Sequence, residues 1–171
     1  MAANAKASTQ VYRVYIKATP QAVWDALTRP EWTRRYGYGG STQLDLRAGG
    51  KYKAVSESGV YGTGGPVDMV DGEVLEAESP TRLTQTWRML LDPRVAAEGF
   101  TRLTYAIESD KVPGVTKLTL THDLQKTPTL AAMVAGEIPE AGGGWSYILS
   151  DLKTLLETGV SLRESAEEER T

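Results

Sequence analysis

The stretch Gly142–Gly159 constrains this chain more than any other, because its apolar residues recur at helical spacing. Trp145, Ile148, Leu149, Leu152, Leu155 and Leu156 fall on one face of a helix, while Ser150, Asp151, Lys153, Thr154 and Glu157 fall mostly on the other. The glycines before Trp145 predict a flexible lead-in. Gly159 predicts a stop, since glycine takes left-handed backbone angles without a side-chain clash. A long amphipathic helix must have its apolar face covered, and most of the remaining sequence reads as strands.

Val11–Lys17 alternates, with Tyr12, Val14 and Ile16 on one face, as in a half-buried strand. Thr19-Pro20 then starts a helix whose buried stripe is Val23, Trp24 and Leu27; Pro30 ends it and opens another carrying Trp32 and Tyr36. Strands are expected over Thr42–Leu46, Lys51–Ser56 and Val67–Ala77, with a loose glycine-rich loop over Gly59–Pro66 and a bulge or bend at Asp71-Gly72. Arg82–Met89 places Leu83, Gln85, Trp87 and Met89 on one side. Leu103, Tyr105 and Ile107 line one face of the next strand, and Leu118, Leu120 and His122 one face of Val115–Asp123. Six or seven short alternating strands in succession indicate one antiparallel sheet with a wet and a dry face. Leu124–Ala141 is too long for a tight connection, and its piece Thr129–Ala135 reads either as a packed connector or as a flap over one end of the sheet.

Several function classes find no support in the residues. A net charge of -3 gives no reason to expect nucleic acid or an anionic membrane as partner. No run spans a bilayer and no apolar region follows Lys6, so neither membrane insertion nor a signal peptide is expected. The chain has no cysteine and one histidine, which leaves only carboxylates for a metal; neither metal nor cofactor is expected, and a reducing cytoplasm is the expected location. Gly37–Gly40 and Gly62–Gly65 lack dinucleotide-binding spacing, and no Gly-x-Ser-x-Gly elbow occurs. The expected organisation is a flexible N-terminus over residues 1–10, one domain over 11–160, and a charged tail over 161–171 that is a solvated or frayed extension of the last helix.

Four pieces of the chain carry a family likeness. They are Ile16–Glu31; Gly72–Ala77 leading to Leu83 and Thr86-Trp87; Leu118–Asp123; and Gly143–Leu149 with Leu152–Glu157. Their order and spacing resemble the START-like (SRPBCC) superfamily, in the branch related to the C-terminal domain of the activator of Hsp90 ATPase. The resemblance implies an α+β helix-grip fold, like that of Bet v 1: a strand, two short helices, then a curved antiparallel sheet wrapped around a long C-terminal helix. The connector over 124–141 is longer than is usual in that branch.

Such a fold leaves room for a pocket between sheet and helix, and the strand phases nominate its lining. The candidates are Gln85, Trp87, Met89, Leu103, Tyr105, Leu118, Leu120 and His122 from the sheet, with Trp145, Leu149 and Leu152 from the helix. For each apolar member, plain core packing competes with ligand contact. His122 and Tyr105 are the candidate catalytic groups. In an open cavity a near-neutral imidazole could hydrogen-bond a ligand carbonyl or shuttle a proton, whereas a satisfied structural histidine is the alternative. Asp123 points to the opposite strand face and cannot orient His122 locally. The leading expectation is a carrier or sensor of a small hydrophobic molecule. The resemblance also implies two others: a polyketide cyclase/dehydratase-like enzyme using the same cavity, and a module that contacts an Hsp90-type chaperone. Assembly as a homodimer is left open.

Overall fold

The computed structural model describes residues 9–57 and 64–170. Residues 1–8 of the expected loose N-terminus and most of the Gly59–Pro66 loop lie outside the described residues, whereas Thr9 and Gln10, expected in that loose segment, are paired in the first strand. The chain forms the helix-grip arrangement: strand β1 (Thr9–Ile16), helices α1 (Pro20–Thr28) and α2 (Pro30–Thr33), then strands β2 (Ser41–Leu44), β3 (Lys51–Ser56), β4 (Val67–Glu78) and β5 (Arg82–Met89). A short helix α3 (Pro93–Ala96) precedes β6 (Thr101–Ser109) and β7 (Thr116–Asp123). Helix α4 (Pro128–Val134) and a 3-10 turn (Pro139–Ala141) lead to the long helix α5 (Gly144–Thr158) and a final helix α6 (Leu162–Glu168). The seven strands form one sheet in the order β1-β7-β6-β5-β4-β3-β2, each pair antiparallel.

Local chemistry explains the first turn of the chain. The Thr19 hydroxyl accepts from the Ala22 amide at 3.1 Å, and Pro20 opens α1 without losing a bond. Pro30 cannot continue that helix, so α2 starts there, and the buried Tyr36 donates its hydroxyl proton to the Ala26 carbonyl at 2.9 Å. On the outer sheet face the charged residues pair across strands, as in the two-bond contact of Arg88 with Asp71 and in Lys117 with Glu108. Exposed pairs of this kind contribute little, about 0–1 kcal/mol each, so the fold is held from the inner side. There Leu103, Leu118, Leu120, Leu152 and Leu155 are buried, each contributing about 1.5–3 kcal/mol.

Helix α5 lies across the dry face and is tied to β1 at its polar margin. Lys153 donates to the Tyr15 carbonyl at 2.7 Å, and Glu157 accepts from the Lys17 amide at 2.9 Å. Gly159 ends the helix in the left-handed conformation, its amide donating to the Leu155 carbonyl.

Four local expectations change. The irregularities in β4 fall between Asp68 and Val70, opposite β3, and between Val74 and Glu76, opposite β5, rather than at Asp71-Gly72; Gly72 is needed because any side chain would collide with the Thr86 carbonyl. The glycines before Trp145 are no loose lead-in: Gly144 has φ +63°, and a side chain there would strike the Val134 carbonyl. Asp151, placed by periodicity on the wet face of α5, is 0% exposed. The charged end is not an extension of α5, because the chain turns at Gly159 and restarts as α6. Ser161 and Glu164 form a reciprocal capping box there, and Glu164 pairs with Arg35 at 2.8 Å.

Candidate functional site

Bending the sheet around α5 leaves a cavity of about 550 Å³. The sheet supplies one wall: Tyr52 and Ala54 from β3, Met69 and Val70 from β4, Leu83, Gln85, Trp87 and Met89 from β5, and Tyr105 from β6. Strand alternation puts the β5 residues there, since every second side chain faces inward. The other wall is Leu27, Thr33, Tyr36, Gly37, Tyr38 and Gly40 from the α1–β2 region, with Met133, Val134 and Glu140–Gly142 from the connector. Gly144, Trp145 and Ile148 join it from the first turns of α5, and Thr42, Leu91 and Asp92 complete the lining. The connector over 124–141 therefore folds as a helix and 3-10 turn that together form part of the wall.

The Gly37–Gly40 loop in the wall of this chamber is held by the buried Asp151. Asp151 Oδ2 accepts from the Gly37 amide at 2.8 Å, and Oδ1 accepts from the Leu162 amide at 2.6 Å. One side chain thus fixes both the cavity loop and the start of α6. A neighbouring pair acts in the same sense: the buried Thr33 hydroxyl accepts from the Thr42 amide at 2.9 Å. The Tyr38 and Tyr147 rings meet at 5.6 Å near the same loop.

The polar groups of the wall are few. Gln85 is 2% exposed, and its Oε1 has no hydrogen-bond partner. The Tyr105 hydroxyl likewise has none among the described residues. Burial drives the Tyr105 phenol well above its usual range, with Tyr52 and Tyr36 nearby adding to the effect. Burial also pushes the Tyr52 phenol up to about 12, against the opposing influence of the Gln85 and Trp87 side chains beside it. Desolvation raises Tyr36 in the same way. All three phenols therefore stay neutral at ordinary pH.

His122 occupies a different position from the one its strand phase predicted. It is 0% exposed and stands outside the cavity wall, behind Trp87 and Trp145. The Trp145 indole N–H can only donate, and it donates to His122 Nδ1 at 3.0 Å. The ring proton therefore sits on Nε2 and is donated to the Thr101 hydroxyl at 2.7 Å, which in turn donates to the Trp87 carbonyl at 2.8 Å. The chain Trp145–His122–Thr101–Trp87 is complete, with every proton assigned. Desolvation lowers the His122 pKa to about 3. The ring is thus a neutral strut that orients two cavity-wall tryptophans, and its geometry gives it no proton to exchange with a ligand.

Of the sequence-nominated residues, Gln85, Trp87, Met89, Tyr105 and Trp145 line the cavity. Leu103, Leu118, Leu120, His122, Leu149 and Leu152 are buried in the core away from it. Ile148 takes the place in the wall expected for Leu149, because a rotation of one residue, about 100°, separates core from chamber. Tyr52, Ala54, Met69 and Met133 were not nominated as lining. The alternation of β3 was a usable signal for the first two. Among the described residues no three His, Cys, Asp or Glu side chains gather to hold a metal, and no helix is long and apolar enough to cross a membrane.

A family model described as activator of Hsp90 ATPase homolog 1-like protein matches residues 17–157. The chain belongs to this family. Solved structures of similar fold include an HSP90 activator from Plasmodium falciparum, at 18% identity and TM-score 0.60, with 86% of this chain and 95% of that chain covered. CalU16 from Micromonospora echinospora matches at 20% identity and TM-score 0.60, covering 95% of this chain and 83% of that one. DynU16, a protein in the dynemicin biosynthetic locus, matches at 20% identity and TM-score 0.66; 91% of this chain aligns with 49% of that one. Among curated proteins none matches. At these identities the likeness concerns the fold, and members of this activator-like family share a scaffold on which different functions can sit.

Proposed function

We propose that this activator-family protein is a carrier or sensor of a small hydrophobic molecule, acting in the cytoplasm and holding its ligand between β3–β6 and the first turns of α5. The observation that carries this reading is the chamber itself: about 550 Å³, walled mainly by aromatic and aliphatic side chains, with few polar groups. That volume and lining are typical of small-molecule sites. A core meant only for stability would close such a space, since unfilled apolar volume costs packing energy.

Filling the chamber tests the proposal. Ala54 stands in the wall, and Ala54→Phe adds a ring at that position. Wild-type protein is expected to bind the neutral dye Nile red saturably, with a rise in fluorescence. Ala54→Phe is expected to bind it at least about ten-fold more weakly, the equivalent of ~1.4 kcal/mol. Near-ultraviolet circular dichroism checks that the variant is folded. Equal binding by both proteins, or saturable binding by neither, would remove the cavity from the account.

The family match and the Plasmodium neighbour favour a second reading, contact with an Hsp90-type chaperone, for which a pull-down with Hsp90 is the direct test. For a cyclase/dehydratase-like use of the cavity, Tyr105 and Gln85 remain in the wall among the groups nominated from the sequence, whereas His122 is neutral, fully engaged and outside it.

A further inference from the structure

The electrostatics of the chamber narrow the kind of molecule it would hold, provided the binding reading above is right. Among the described residues of the wall there is no lysine, arginine or histidine, while two carboxylates, Asp92 and Glu140, do belong to it. Arg94 stands outside the wall and is committed to Asp92, its guanidinium 3.0 Å from that carboxylate. Arg163, close to the loop at Gly39, donates to the Arg34 carbonyl at 2.7 Å and has no place in the wall. A carboxylate or phosphate entering the chamber would lose its water and meet no cation. The raised phenols of Tyr52 and Tyr105 are a second sign that this environment opposes negative charge.

The wall does offer hydrogen bonds to a neutral group. Gln85 Oε1 is a buried acceptor without a donor, the single such side-chain atom among the described residues. Leaving an acceptor in this state costs free energy in the empty protein, and a ligand donor that reaches it recovers that cost. Gln85 belongs to the cavity wall, which places this unpartnered acceptor beside the space a ligand would fill. Tyr105, in the neighbouring strand, adds a hydroxyl with no partner among the described residues; in the register its strand neighbour Leu83 is two residues before Gln85. Acceptor and hydroxyl therefore stand on adjacent strands of one wall.

We propose that the chamber selects neutral apolar molecules that carry a hydrogen-bond donor, a phenol or alicyclic alcohol, and rejects carboxylates such as fatty-acid anions. Gln85 accepts the ligand O–H, and Tyr105 completes the contact.

Three probes of one shape separate the contributions: naphthalene, 2-naphthol and 2-naphthoate, titrated at pH 7 against wild type and Gln85→Met by quenching of tryptophan emission. In wild type, 2-naphthol is expected to bind about ten-fold tighter than naphthalene and at least about ten-fold tighter than 2-naphthoate. In Gln85→Met, which keeps the length of the side chain but not its amide, naphthalene binding is retained and the advantage of 2-naphthol disappears. A urea unfolding midpoint no lower than that of wild type shows that this variant is folded. Equal binding of naphthalene and 2-naphthol by wild type, 2-naphthoate binding as tightly as 2-naphthol, or a preference that survives Gln85→Met overturns the selectivity and leaves the binding reading standing. Failure of all three probes to bind wild type overturns both.

Discussion

Lowering the pH from 6.5 towards 3 is expected to remove about 1.4 kcal/mol of stability per pH unit through His122 alone. The sign follows from the two protonation states. The unfolded chain has a histidine of ordinary pKa 6.5, whereas burial holds the folded ring neutral down to about 3. Between those values the unfolded state binds the extra proton and the folded state does not, so stability falls as the pH falls. Above 6.5 both states are neutral and the contribution is fully present. Over the whole window the loss reaches about 5 kcal/mol, a large share of the stability of a small domain. His122→Gln is the informative variant. Its amide can accept from Trp145 and donate to Thr101, as the imidazole does, but it does not titrate. Urea unfolding at a series of pH values between 7 and 4 should therefore give a flatter stability profile for His122→Gln than for wild type. Identical slopes would show that the ring is not held neutral, and the role assigned to the Trp145–His122–Thr101 chain would fall with that result.

The second large effect is expected at Asp151. Asp151→Ala should cost about 3–5 kcal/mol, because the buried Gly37 amide and the part-buried Leu162 amide lose their carboxylate acceptor together. Asp151→Asn should fall between wild type and alanine, since one oxygen can still accept while the amide N–H₂ faces a donor. The loss is readable as a lowered urea midpoint with an unchanged slope, and as faster hydrogen exchange at Gly37 and Leu162. A cost under about 1 kcal/mol would mean that neither amide depends on this side chain. Because Gly37 belongs to the cavity wall, the same variant should weaken Nile red binding even where it remains folded.

These two residues show where sequence reading succeeded and where it stopped. The strands and the long helix were legible because side-chain burial repeats with the backbone period, two in β5 and 3.6 in α5. Asp151 broke that logic. Periodicity assigns a charge to the wet face, but α6 folds back over that face, and only the tertiary structure supplies the Gly37 and Leu162 amides that satisfy it. His122 illustrates a second limit. Alternation reports which face of the sheet a residue occupies, yet Gln85, Leu103 and His122 lie in one row across β5, β6 and β7, and only Gln85 reaches the chamber. The depth of each position is set by Trp87 and Trp145, whose rings stand 6.0 Å apart in front of the imidazole. Gly72 and Gly144 were read as bend and lead-in, whereas both serve close backbone approach, a property that no local pattern reveals.

The central claim, a ligand chamber between sheet and helix, can be read from the methionines. The chain has four, and three of them, Met69, Met89 and Met133, line the cavity from β4, β5 and the connector. In protein labelled with carbon-13 at the methionine methyls, titration with naphthalene places a ring current inside the chamber if naphthalene enters it. The account predicts that the methyl resonances of Met69, Met89 and Met133 shift together along one saturating curve. Resonances that stay fixed, or that drift without saturation, would contradict it.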